Sequence, residues 1–235
     1  NKLRAITLSG GLAPGYTMGD ALTFLEQEAS QSPEILAIGY RGESQAYKET
    51  GGSIVIIFLL TIVIVYLVLA AQFESFVHPL TIITTVPLAV GGGLVGLAIT
   101  GTTLNLYSQI GIVMLVGLAA KNGILIVEFA NQLRDEGKEI VEAVQEAATR
   151  RLRPILMTSI ATVFGTIPLA LASGAGGAAR SAIGVVIVFG VTLATLITLI
   201  LIPIIYARLA RYTGSPEAVT RKLESEMKAL EDGSV

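Results

Sequence analysis

Apolar positions in this sequence run in long blocks that carry almost no charge. Ser53–Ala71 (SIVIIFLLTIVIVYLVLAA) contains no charged residue at all. Crossing a hydrocarbon core of ~30 Å takes about 20 helical residues. Four further blocks reach a comparable length: Pro79–Thr100, Ile110–Phe129, Ile155–Leu171 and Ile183–Tyr206. A chain in lipid must satisfy its backbone polar groups internally, and the α-helix does this within one segment. The pattern therefore predicts five membrane-spanning helices. Pro87, Pro168 and Pro203 are expected to kink their spans, and the Gly92/Gly96 spacing suits close helix contact.

The segments outside these blocks differ in character. Residues 1–50 read as an external α/β piece: a strand at Arg4–Leu8, a Pro-Gly turn in LAPGYT, a helix at Thr17–Ser30 with Thr17 as N-cap, and a second strand at Ile35–Tyr40. One β-α-β unit cannot bury an adequate core alone. The chain starts at Asn1, so a larger protein is expected, with this chain supplying the end of an external domain and the helices that follow. Between the third and fourth spans, Glu139–Thr149 is amphipathic, with Ile140, Val141, Val144, Ala147 and Ala148 at helical spacing. It suits either the membrane face or the protein's own loops. The tail at 213–235 is charged and expected to be mobile.

Lys and Arg set the orientation. The loop after the third span holds Arg134, Lys138, Arg150, Arg151 and Arg153, and the tail holds Arg208, Arg211, Arg221, Lys222 and Lys228. On the opposite side, Gly101–Gln109 has none and Ala172–Ala182 has only Arg180. By the positive-inside rule the third loop and the C-terminus are cytoplasmic and residues 1–50 external. Composition agrees: 52% of residues are hydrophobic and 14% charged, against roughly 25% charged in ordinary soluble domains. A net charge of -2 gives no basic field for nucleic acid. The absence of cysteine excludes disulfides and thiolate sites, and the lone His78 argues against His-rich metal sites and triad chemistry. No nucleophile-base pair points to an enzyme.

Lys121 is the residue that calls for chemistry. It lies about 16 Å into the third span, near the bilayer midplane. A cation there costs roughly 2.5–3.5 kcal/mol on insertion scales. It should face a protein interior or a wet cavity and have an acidic partner. The spans contain one acid, Glu128, seven residues or ~10 Å nearer the cytoplasm, too far for a close ion pair. The partner carboxylate is therefore expected on a helix outside this sequence; the plainer reading is a lysine satisfied by carbonyls or water. Arg151 and Thr158 form a second pair, two turns apart on one face of the fourth span. A threonine hydroxyl both donates and accepts, as a proton relay requires. The plainer readings are a bond from Thr158 to its own i−4 carbonyl, and a positive-inside anchor of Arg150, Arg151 and Arg153.

The runs LAAQFESFVHPL (69–80), LVGLAAKNGILIVEFANQLRDEG (115–137), RRLRPILMTS (150–159) and SGAGGAARSAIG (173–184), together with LAPGYTMGDAL (12–22), closely resemble the resistance-nodulation-division transporters. The nearest branch is the hydrophobe/amphiphile multidrug efflux pumps of Gram-negative bacteria. The resemblance implies a twelve-span inner-membrane protein, of which this chain is the last part: the end of a periplasmic porter domain, then five spans. The fold class expected is thus mainly α, polytopic, with a small α/β porter remnant. The resemblance also implies a homotrimeric proton antiporter, not an enzyme, working with a periplasmic adaptor and an outer-membrane channel. No cofactor is implied beyond the proton as coupling ion. In the family motifs, Lys121, Arg151 and Thr158 match the proton-relay positions, and their partners are an aspartate pair in the N-terminal half. Metal or lipid export by the same superfamily, or a non-transporting assembly module, are the competing readings.

Overall fold

The computed structural model describes residues 5–13, 16–50, 53–174 and 176–212. It falls into two units, residues 1–53 and 54–235. In the first unit, α1 (Met18–Gln31) begins at Thr17 through a reciprocal capping box: Asp20 N–H donates to Thr17 Oγ1 at 3.2 Å and Thr17 N–H donates to Asp20 Oδ2 at 3.0 Å. Helix α2 (Glu43–Thr50) follows, and Lys48 Nζ pairs with Glu26 Oε1 of α1 at 2.6 Å. Tyr40 donates to the same carboxylate. The hydrogen bond from Lys48, then that from Tyr40, holds the Glu26 carboxyl below the usual range.

The helix starting at Thr17 is as the sequence reads; the two strands are not. Residues 5–8 and 35–40 form no ladder among the described residues, and Ile6, Leu8 and Leu36 are 91%, 80% and 85% exposed. A strand is stabilised by a paired neighbour and a covered face, and these segments find neither here. The Pro-Gly turn at residues 14–15 and the tail at 213–235 lie outside the described residues.

The second unit is a helical bundle. Helices α3 (Ser53–Phe73), α4 (Val77–Ile83), α5 (Thr85–Thr100), α6 (Leu106–Asp135), α7 (Ile140–Ala170) and α8 (Gly177–Leu209) follow in order, with a 3-10 turn at Ala210–Tyr212. Among the described residues, five segments are long and apolar enough to cross a membrane: Val55–Phe73, Val77–Thr100, Leu106–Asp135, Ile140–Ala170 and Gly177–Leu209. The protein is a mainly α, multi-pass membrane protein.

Three boundaries differ from the sequence reading. The second span breaks at Thr84 into α4 and α5. Pro87 lacks the N–H that would bond Ile83, and its ring crowds that carbonyl. The hydroxyls of Thr84 and Thr85 take the nearby carbonyls of Thr81 and Ile82 at 2.6 and 2.7 Å, which keeps the break satisfied in an apolar setting. The amphipathic stretch at 139–149 is not a separate surface helix. It is the first third of α7, and its apolar positions Ala143, Val144 and Ala147 are buried in the same core cluster as Leu133, Ala130 and Tyr206. Finally, α8 starts at Gly177, so Arg180, expected in a loop, is helical.

Helix α8 packs against α4, α5, α6 and α7. Small residues allow this. A Cβ on Gly92 would meet Leu193 Cβ at 2.8 Å, and one on Gly96 would meet Phe189 Cβ at 2.6 Å, so the expected glycine stripe of α5 lies directly against α8. At the other side Gly184 of α8 touches the α7 backbone: a Cβ there would sit 2.3 Å from Ala170 N and 2.5 Å from Ala170 Cα. Ser181 Oγ donates to Ala170 O at 2.7 Å beside this contact. Backbone cannot move aside as a side chain can. Gly184→Ala is expected to destabilise this chain by about 1–3 kcal/mol, the usual range for overpacking. Gly91→Ala, where a Cβ meets nothing within 4 Å, should leave stability unchanged or raise it by up to about 1 kcal/mol through helix propensity. Denaturation of the purified chain in detergent, followed by helical circular dichroism, compares the two.

Candidate functional site: a mid-helix lysine on an open face

Helix α6 is anchored at its start by Asn105, whose side chain accepts from Ser108 N–H at 2.9 Å while Ser108 Oγ accepts from Asn105 N–H at 2.8 Å. It ends at Asp135, before Gly137 at φ 97°. Lys121 lies fifteen residues after the first residue and fourteen before the last. The ammonium therefore leaves the helix about 20 Å from either end.

One face of α6 is buried in the bundle through Leu115, Ala119, Asn122, Ile126, Ala130 and Leu133. Met114, Gly117, Lys121 and Glu128 share the opposite, exposed stripe. Among the described residues Lys121 makes no hydrogen bond or ion pair, whereas Lys48 pairs with Glu26 and both Lys138 and Arg150 pair with Glu146. Glu128 does not reach it, as the seven-residue separation implies.

Lys121 and Thr158 are brought together. Both line one shallow depression where α6, α7 and α8 meet, with Leu118, Asn122, Ser159, Thr162 and Val191. Thr158 Oγ1 donates to Ile155 O at 3.1 Å, which uses its proton and leaves its oxygen able to accept. This is the local backbone bond that the plainer reading expects, made to the i−3 carbonyl. Thr162 and Thr166 continue the file at four-residue spacing, donating to the carbonyls of Thr158 and Thr162 at 2.8 and 2.7 Å. Arg151 is not part of the depression. Its guanidinium lies over the Phe129 ring, 4.5 Å from the centroid, and its Nε is buried with no hydrogen-bond partner among the described residues.

Behind the depression lies a polar cluster that sequence reasoning missed. Asn122 Nδ2 donates to Thr195 Oγ1 at 3.0 Å and to Ser159 Oγ at 3.4 Å, and Thr195 Oγ1 donates to Ser159 Oγ at 2.9 Å. Relative exposures are 4%, 7% and 4% for Asn122, Ser159 and Thr195, so the cluster is inside the bundle. Asn122 and Ser159 each follow a candidate site residue in sequence, which is a faint signal; Thr195 is one of three threonines at three-residue spacing on α8, with Thr192 and Thr198, and the spacing alone does not single it out.

The AcrB/AcrD/AcrF family profile matches residues 1–210. The chain belongs to the AcrB/AcrD/AcrF family. It is thereby a member of the resistance-nodulation-division superfamily to which its motifs pointed. It is 36% identical over 217 residues, 92% of its length, to the toluene efflux pump membrane transporter TtgB of Pseudomonas putida, covering 21% of that protein. It is 38% identical over 214 residues to the multidrug export protein AcrF of Escherichia coli, with 90% of this chain and 20% of AcrF aligned. An uncharacterized transporter of Haemophilus influenzae is 42% identical over 218 residues, 89% of this chain and 21% of that protein. The chain thus spans about a fifth of the length of these relatives.

Because the family chain has 0 cysteines, single cysteines report on this geometry. In the detergent-solubilised chain, Lys121→Cys is expected to react with a charged methanethiosulfonate at least about tenfold faster than Asn122→Cys, since reactivity follows exposure. Equal rates would show that the two faces of α6 are not distinguished as described.

Proposed function

We propose that this chain is part of a proton-driven efflux transporter for hydrophobic and amphiphilic compounds, in which Lys121, Thr158 and Arg151 belong to the proton relay. The observation that carries this reading is the mid-helix ammonium, which makes no hydrogen bond or ion pair among the described residues and stands on the exposed stripe of α6 at the rim of the depression. The toluene and multidrug transporters it resembles support the cargo class. The transporter is read as the inner-membrane member of a tripartite assembly, trimeric, with residues 1–50 periplasmic and the C-terminus cytoplasmic. Lys and Arg asymmetry supports that orientation.

The energetics favour a switch. Placing the ammonium at mid-membrane costs roughly 2.5–3.5 kcal/mol. A carboxylate at ~4 Å returns about 4 kcal/mol at an effective dielectric constant of 20. The two are similar in size, so the pair is tolerated while the acid is charged and loses its basis when the acid binds a proton. In the proposed cycle an aspartate pair contributed by the rest of the transporter faces Lys121. Protonation there releases the ammonium, which reorients toward the depression it shares with Thr158, whose oxygen accepts. Helices α6 and α7 shift with it. The displacement reaches the external part through α3, which continues the chain from residues 1–50. Arg151, held on Phe129, keeps a fixed positive charge two turns away.

The test is Lys121→Ala in the intact transporter. Dye efflux and dye-dependent proton flux are expected to fall to the level of cells lacking the pump, with membrane expression and assembly unchanged. Near-normal efflux by a well-expressed variant would overturn the relay. Thr158→Val, which keeps the shape and removes the hydroxyl, should reduce transport less severely, by roughly tenfold.

A further inference from the structure

The buried triad of Asn122, Ser159 and Thr195 sits where two apolar clusters meet. On α6, Ala119 belongs to one cluster and Ala120 to the other. On α7, Ile155 belongs to the cluster of Ala120 and Val163 packs against that of Ala119, with Ser159 between them. On α8, Ala194 closes one cluster and Ile202 lies in the other, with Thr195 beside the boundary. All three helices change from one apolar core to the other at the level of the triad, and hydrogen bonds join them there.

Two members of the triad adjoin the lysine and threonine of the depression: Asn122 follows Lys121 and Ser159 follows Thr158. We propose that Asn122, Ser159 and Thr195 are positioning residues: a buried hydrogen-bonded tie that fixes where Lys121 and Thr158 stand and couples their movement to α8. The inference rests on the relay reading above and adds residues to it. Three observations carry it. Each side chain is more than nine-tenths buried, so water does not substitute for a lost partner. The bonds run across three helices, so each constrains relative helix position and not merely a local turn. The same Asn122 and Ser159 also line the depression that holds Lys121 and Thr158. A displacement of the lysine's helix is therefore felt by the tie before it is felt by the apolar clusters on either side.

Valine and serine at position 195 separate positioning from packing. Thr195→Val preserves volume and removes the hydroxyl, leaving Asn122 Nδ2 and Ser159 Oγ to lose a partner; Thr195→Ser keeps the hydroxyl and loses a methyl. The intact transporter, reconstituted in liposomes with a fluorescent dye, is assayed for efflux across a range of external pH, with Lys121→Ala as reference. Expected is a loss of roughly tenfold for Thr195→Val with a displaced half-maximal pH, and recovery of most of the transport in Thr195→Ser at the original half-maximal pH. A role in packing alone predicts the reverse order of the two variants and no displacement, and that result overturns the proposal. Wild-type behaviour of Thr195→Val with an inactive Lys121→Ala overturns the tie and spares the relay; an active Lys121→Ala removes both. If Thr195→Val does not assemble, Ser159→Ala is read in the same way: a displaced half-maximal pH supports the tie and an unchanged one overturns it.

Discussion

A single charge governs how the rest of this bundle is arranged. Helix α6 must carry an ammonium at its midpoint and still bury its other face in an apolar core. It does so by strict segregation: Lys121 on the exposed stripe with Met114 and Glu128, and Leu115, Ala119, Ile126 and Ala130 on the buried one. One residue along, the chain has turned by about 100° and Asn122 points inward. The lysine and its neighbour therefore serve two sides of one helix. The polar residue inside is admissible only because α7 and α8 each supply a hydroxyl to meet it. An asparagine without those partners would leave its amide unsatisfied in a dry interior, at a cost of about 1–3 kcal/mol.

Helix α8 makes that arrangement possible. It reaches α4, α5, α6 and α7, which requires neighbouring backbones to come close. Gly92 and Gly96 on α5 and Gly184 and Gly190 on α8 allow the approach. Without a hydrophobic force to drive helices together in lipid, such close packing and interhelical hydrogen bonds carry the association. The tie at Thr195 and the contact of Gly184 with Ala170 are two expressions of this rule. The first is directional and can be broken and remade; the second is steric and cannot.

How legible this was depends on the range of the interaction. Five spans follow from the length of apolar runs, and Lys121 stands out because charge within such a run is rare and expensive. Family membership likewise follows from local motifs. The break at Thr84 was half legible: Pro87 signals a fault, but its position depends on which carbonyls the threonine hydroxyls can take. The continuity of α7 was missed because Arg150, Arg151 and Arg153 read as a boundary between surface and membrane. Helix formation does not end at charge, however; it ends at unsatisfied backbone, and nothing between Ile140 and Ala170 except Pro154 and Pro168 removes a donor. The strands at 5–8 and 35–40 failed for a related reason, since strand formation depends on partners at a distance. Thr195 was not singled out, because it is one of three threonines of α8 with Thr192 and Thr198, and only what faces each of them separates their roles.

The two ends of the bundle differ from its middle in what holds them. Where α6 and α8 terminate, Tyr206 is fully buried, stacks on His78 at 5.6 Å and 16°, donates to Asn131 and accepts from Arg134 at 3.2 Å. At the opposite end, the backbone of α7 lies against Gly184. An aromatic stack with a charge-assisted bond and a backbone contact are both stiff, since packed interiors deform little. Between them stands the layer of small polar side chains, whose hydrogen bonds can exchange without opening a void. A bundle clamped at its ends and joined by exchangeable bonds at its centre concentrates any response at the level of Lys121. The proposed placement of the coupling charge at mid-helix, rather than near either clamp, is where a change of one proton can move the most structure at the least packing cost.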